Sequence, residues 1–306
     1  MKTNNQNPAQ YEWGPFPFGD EESVIDIRYD PVFKAVFTKD TYESRGALSR
    51  LISALIGRNV AVETIIANEP PIDDTRQRYL RFDVACKTEK DEFVNVEMAF
   101  NPIASEPVRL EYHVSRLFAG QDLHGKDKKY DDLKETYQIA ILANEKFYDD
   151  ESFIHNFVYC DFENCISLGG RTKIITVELV KTEPAAGKPV EEMTNAELWA
   201  VFFQYLTDPE KRDKIIEIIN QEEGIAMAVD TLINITKDEV EFARMTTLIK
   251  SELDWRSGMA DAEKKGRNEG RNEANLENAR KMKSMGFLTE QIQAVTGLSS
   301  EIIVQL

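Results

Sequence analysis

The sequence predicts an α/β protein with a mixed central sheet, followed by a C-terminal half that is almost wholly helical. Three observations predict it. Two helical patterns precede three strand-like segments, a further helix and strand follow those, and beyond Thr194 apolar residues recur at helical spacing nearly to the end. The 306 residues suffice for one large domain or two modest ones, and a content of 42% hydrophobic and 9% aromatic residues supports a packed core.

Residues 1–20 are polar and then rich in Pro, Gly and aromatics, which reads as an irregular arm. A helix starts at Pro31, with Phe33, Val36 and Phe37 on one face. A second spans 43–57, with Leu48, Leu51, Ile52 and Leu55 three or four apart and Gly57 as its stop. Residues 60–67 form a β-branched strand closed by Pro70-Pro71. Segments 79–87 and 93–100 alternate strictly, and the polar Thr88-Glu89-Lys90-Asp91 joins them as a hairpin. A helix follows over 106–123, then a basic loop at 125–129, then an apolar strand at 136–143. Further strands are expected at 153–159 and 173–181, and Thr194-Asn195 caps the next helix. Five regions result: an arm (1–20), a core (21–183), a helical region (190–257), a charged helical linker (258–283) with a tandem GRNE, and a small helical hairpin tail (284–306).

Charge narrows the functional classes. With 54 acidic against 37 basic residues the formal charge is −17, which disfavours indiscriminate binding of nucleic acid or anionic membrane. A local basic groove, or a site where metal ions offset phosphate repulsion, remains open. Cys86, Cys160 and Cys165 are too few for a disulfide framework and fit a reducing compartment. No run of eighteen apolar residues exists and the opening MKTNNQNPAQ lacks an apolar core, so a cytoplasmic location without a membrane partner is expected. Neither a P-loop nor a dinucleotide glycine fingerprint is present, so no nucleotide cofactor is expected. His113, His124 and His155 show no metal-ligand spacing.

The chemistry concentrates in the hairpin. A turn centred near Lys90 sets Asp83 across from Glu97, on the face opposite the large aliphatics, with Cβ atoms about 5 Å apart. Like charges at that distance need a cation between them, and oxygen-only ligation suits Mg²⁺ or Mn²⁺. Alternatively both acids lie on an exposed face, paired with Arg81 or Lys87.

Further motifs keep a fixed order around this pair: Asp30-Pro-Val-Phe33-Lys34 ahead of Val36-Phe37, Arg81-Phe-Asp83-Val with Asn95-Val-Glu97-Met98, Arg109-Leu-Glu-Tyr112, Thr176-Val-Glu178-Leu179 and the Thr296-Gly-Leu298-Ser tail. On these motifs the chain resembles the PD-(D/E)XK nuclease family transposases, the Rpn-like recombination-promoting nucleases. The resemblance implies a restriction-endonuclease-like core and Mg²⁺- or Mn²⁺-dependent DNA cleavage in transposition, recombination or defence against foreign DNA. It also implies that Asp83 and Glu97 hold the metal. Such enzymes carry Gln or Lys two residues after the hairpin glutamate, where Ala99 stands here. Alanine neither orients water nor stabilises charge, so reduced activity is expected, with an inactive nuclease-fold scaffold that binds partners or DNA as the alternative.

The remaining candidates each carry two readings. Asp30 is a third catalytic acid or an N-cap before Pro31. Lys34 approaches phosphate or is simply solvated. Arg109 and Tyr112 bind the DNA backbone or buttress the hairpin. Lys126, Lys128 and Lys129 are diluted by Asp127, Asp131 and Asp132 and read as a solvated loop. The tail hairpin reads as a packing or oligomerisation module, and a homodimer is expected because duplex cleavage needs two sites or a reorientation.

Overall fold

The computed structural model describes residues 25–66, 83–123, 129–238, 245, 247–249, 270–271 and 273–306. The expected arm, Arg81, the basic loop up to Lys128 with His124, and most of the GRNE repeat lie outside the described residues. The chain divides into two compact units, Met1–Met245 and Thr246–Leu306.

In the first unit, α1 (Asp30–Thr38) buries Val32, Phe33, Val36 and Phe37 along one stripe. In α2 (Tyr42–Ile56) the Thr41 side chain accepts from the Ser44 amide at the start, and Gly57 ends the helix at φ 79°, a conformation that favours glycine. Six strands follow: β1 (Val62–Ile65), β2 (Val84–Thr88), β3 (Phe93–Ala99), β4 (Thr136–Leu142), β5 (Ile154–Phe157) and β6 (Thr172–Glu178). Their spatial order is β1-β2-β3-β4-β6-β5. The three central strands are parallel and the outer pairings antiparallel, so the sheet is mixed as its sequence predicts. The helix between β3 and β4 is α3 (Glu106–Ala119). After β6 come a short α4 (Glu183–Ala186), then α5 (Asn195–Tyr205), α6 (Arg212–Gln221) and α7 (Glu223–Lys237). Thr194 and Glu197 cap α5 reciprocally. No described helix is long and apolar enough to cross a membrane.

Both faces of the central strands are covered, which is why β4 is buried at all seven positions. On one face Ala85, Ala99 and Ala140 present small side chains to Leu110 and Leu117 of α3. On the other, Val84, Cys86, Val94, Val96, Met98, Ile139 and Ile141 are buried, and α1 approaches β2 and β3. Behind α1, the Phe33 and Phe37 rings lie 4.7 Å apart and continue into Trp199, Phe202 and Phe203 of α5. The sheet's β1 end carries a bulge between Val62 and Thr64. Amides there are taken up by side chains, Val62 N by Ser49 Oγ at 3.0 Å and Ala61 N by Glu89 Oε2 at 2.8 Å.

The α2–α7 crossing depends on two glycines. A Cβ on Gly224 would overlap Arg50 Cβ, which cannot move without its backbone; one on Gly46 would meet the Met227 thioether, which can swing aside. Gly224→Ala is therefore expected to cost about 1–3 kcal/mol and Gly46→Ala clearly less, read as urea midpoints. Equal losses at both positions would contradict this account.

In the second unit, residues 273–284 are helical and precede α8 (Thr289–Thr296) and α9 (Ser300–Gln305). Ala279, Ile292 and Ile303 form its core, flanked by Met282, Leu298 and Leu306. This core draws Ala279 and Met282 from the charged stretch, where apolar residues are too sparse to mark a face in the sequence.

Candidate active site

The β2–β3 ladder pairs Val84 with Val96 and Ala85 with Asn95. Extended by one residue, the register sets Asp83 opposite Glu97, as the turn centre requires. The face is not exposed, since Glu97 is 2% and Asn95 0% accessible beneath α3. The reading of an outer face with Arg81 and Lys87 as partners therefore gives way to a buried one.

Each acid on this rung engages its own cation. Asp83 occupies the bend before β2. Its Oδ1 lies 3.0 Å from Lys34 Nζ, and its Oδ2 accepts from the Met98 amide at 3.3 Å. Lys34 also holds Asp30 Oδ2 at 2.8 Å, one helical turn away on α1. Asp30 is the first helical residue, not the cap: Tyr29 is the cap and no side chain caps this end. Asp30 Oδ1 is buried with no hydrogen-bond partner. Burial and the neighbouring Asp30 push the Asp83 carboxyl up to about 7, against the pull of Lys34. Burial alone lowers the Lys34 ammonium, yet Asp83 and Asp30 reverse this, and its pKa stands above the ordinary value.

Glu97 turns toward α3 and β4. Its carboxylate pairs with the Arg109 guanidinium, lies 3.2 Å from His113 Nδ1 and accepts from Gln138 Nε2 at 3.1 Å. Asn95 supports Gln138 from the next rung, donating at 2.9 Å. Arg109 also donates to Glu106, a carboxylate only 3% exposed, at 2.6 Å. Burial and the Arg109 charge lower His113 to about 4, so at neutral pH the ring is neutral and serves Glu97 as a donor from Nδ1. The two lysine and arginine side chains expected at DNA phosphates thus sit on the acids, while Tyr112 points outward at 49% exposure.

Ala99 lies on the Glu97 face, 7% exposed, packed with Leu110, Ala140 and Leu142. Glu178 is apart from this site. Buried at the end of β6, it accepts from the Phe147 amide at 2.6 Å and pairs with Lys181 at 2.6 Å, tying down the 147–150 loop.

Sequence reasoning passed over Glu106, His113 and Gln138. The available signals were the one-turn spacing of Arg109 and His113, and a glutamine inside an otherwise apolar strand.

Among the described residues no three Asp, Glu, His or Cys side chains converge as a ready metal cage. The Asp30–Asp83 pair nevertheless suits a hard dication, being all-oxygen, with one buried oxygen unpartnered and one carboxyl raised by burial and then by its neighbour. Glu97 is already saturated by three donors.

A family model described as PD-(D/E)XK nuclease family transposase matches residues 27–262. No curated protein and no solved structure gives a match.

Proposed function

The chain belongs to the PD-(D/E)XK nuclease family transposases, and on that footing we propose that it is a Mg²⁺- or Mn²⁺-dependent DNA endonuclease of reduced activity, serving transposition, recombination or defence against foreign DNA. The observation that carries this reading is the Asp30–Lys34–Asp83 cluster, where a lysine occupies the place of a cation between two acids. Asp83 and Glu97 would be the metal ligands with Asp30 the third acid, Glu97 giving up its pairing with Arg109 to reach the ion. Bound there, the metal supplies a low-pKa water and charge neutralisation at the scissile phosphate.

The chain's own side chains do the rest. Lys34 and Arg109, which pair with the acids here, would turn their charges to the phosphate with a metal held between those acids. Glu106 is the carboxylate that keeps Arg109 in place between those states. His113 and Gln138 keep hydrogen bonds to one Glu97 oxygen and so fix the direction of the other. Tyr112, exposed on the same helix, lies along the DNA backbone. The chain acts in the cytoplasm as a homodimer, so that one centre meets each strand.

Slow nicking of supercoiled plasmid is expected in Mg²⁺ or Mn²⁺, abolished by chelation and by Asp83→Ala. Calorimetric titration with Mn²⁺ isolates the site from the reaction, and its heat should vanish in the same variant. A second reading is favoured by one feature: Ala99 in an apolar cluster beside a saturated Glu97 is what an inactive scaffold would carry. That reading gains if the wild-type chain takes up no Mn²⁺.

A further inference from the structure

Beyond β5 the chain runs out from the sheet as a two-stranded arm and returns into β6. The Leu168 amide bonds Tyr159 O at 2.9 Å, Cys160 pairs with Ser167, and the Asp161 amide bonds Ile166 O at 2.8 Å. At the tip, Asp161 Oδ1 accepts from the Asn164 amide at 2.8 Å, and Cys165 completes the reversal at φ 53°. The base is fixed as well: His155 Nε2 lies 2.8 Å from Asp150, and Tyr148 packs on the His155 and Phe157 rings. This is an ordered ribbon, and its side chains face the wrong solvent.

Phe162 is 93% exposed, Leu168 76% and Ile166 64%, with Phe157, Val158 and Tyr159 between 39% and 50%. Together they expose several hundred Å², at or above the ~300–600 Å² of the largest patch on an ordinary monomer and of the order of the ~800 Å² that each partner contributes to a standard interface. Phe157, Val158 and Tyr159 belong at once to the arm's base and to the wall of the pocket beside it. Beside the arm's base lies an apolar pocket of about 280 Å³, walled by Leu110, Val114, Tyr148, Phe157 and Ile174. It has room for one aromatic ring.

A projecting apolar knob and an apolar hole on the same surface of one chain are the elements of a two-fold, self-complementary contact. Charge disfavours anionic partners. Asp161 and Glu163 at the tip repel phosphate and anionic membrane, whereas a second copy presents both signs around its pocket, the exposed Arg171 next to wall residue Thr172 and the acid Glu111 in the wall itself.

We propose that residues 157–168 form a docking arm for a second copy of this chain, the Phe162 ring of each copy seated in the other's pocket. This interface lies in the first compact unit, apart from the helical tail where sequence reasoning looked for self-association.

The experiment uses the full chain. Sedimentation equilibrium should give twice the chain mass, and Phe162→Asp should weaken the dimer by about 30-fold or more, the loss of one hot-spot aromatic. At 93% exposure this side chain supports no fold, and an unchanged far-UV circular dichroism spectrum verifies that. Cys160 and Cys165 are both exposed in the single chain. Their maleimide labelling should be slow in the wild-type dimer and fast in Phe162→Asp. A wild-type chain that sediments as a monomer overturns the proposal. So does a dimer whose mass and cysteine reactivity ignore the substitution, since its contact then lies elsewhere.

Discussion

Ala99→Gln is expected to raise the rate of metal-dependent plasmid nicking by about 100- to 1,000-fold, the scale on which one preorganised donor acts on a developing charge. The position is two residues beyond Glu97 on the same face of β3, so an amide placed there shares the space in front of the acid pair. At present that space is lined by Leu110, Ala140 and Leu142, and Ala99 itself is 7% exposed. A glutamine must therefore push its chain past these groups, at a cost of about 1–3 kcal/mol in stability. Gain of activity and loss of stability should appear together. Adding Asp83→Ala to the restored chain returns nicking to background without recovering stability. A folded Ala99→Gln variant no faster than its Asp83→Ala derivative removes the case for an impaired enzyme.

The second large effect is one of pH, and in the wild-type chain it is hidden. Asp83 has an ordinary value of 3.8 and stands at about 7 in the fold. Between those values the folded chain keeps a proton that the unfolded chain has released. Asp83 therefore favours folding at low pH, and its contribution is lost as pH rises toward 7. His113 runs the other way. Its ordinary value of 6.5 falls to about 4 in the fold, so the unfolded chain binds the proton first and the contribution is lost as pH falls through that window. Across their ranges the two shifts correspond to roughly 4 kcal/mol for Asp83 and roughly 3 kcal/mol for His113, and over pH 4 to 6.5 the slopes oppose each other. Asp83→Asn should gain stability relative to wild type as pH rises, and His113→Gln should gain as pH falls. Urea unfolding of the three chains at several pH values separates them. Parallel curves for all three would show that neither group titrates differently in the fold.

Much of the architecture was legible because it is written in local periodicity. The alternation of 79–87 and 93–100 about a polar turn fixed a register that the ladder reproduces at Val84–Val96. Gly57 and Thr194 marked helix ends that depend only on neighbouring backbone. What escaped depends on residues far apart in the chain. Nothing near Glu97 announces that His113 will join the buttressing Arg109 on it from α3, or that Gln138 will approach from β4. The same holds for Lys34: its reach to Asp83 spans the first helix and the hairpin, and only the packing of α1 against β2 and β3 creates it. Strict alternation also cannot say whether a polar face is wet. Here three alanines in the strands let α3 close over it. Sequence reasoning expected a strand at 153–159 and drew nothing from 160–168, because exposure of apolar side chains, unlike their presence, is not a property of sequence.

The bulged end of the sheet at β1 has a bearing on how large an assembly can grow. There the backbone is kinked and the Ala61 and Val62 amides are taken by Glu89 and Ser49, which makes that rim a poorer template for another strand. On the opposite side the 157–168 arm is the proposed seat of a second copy. A two-fold contact there uses the same surface of both copies, so an assembly built on it would close at a pair.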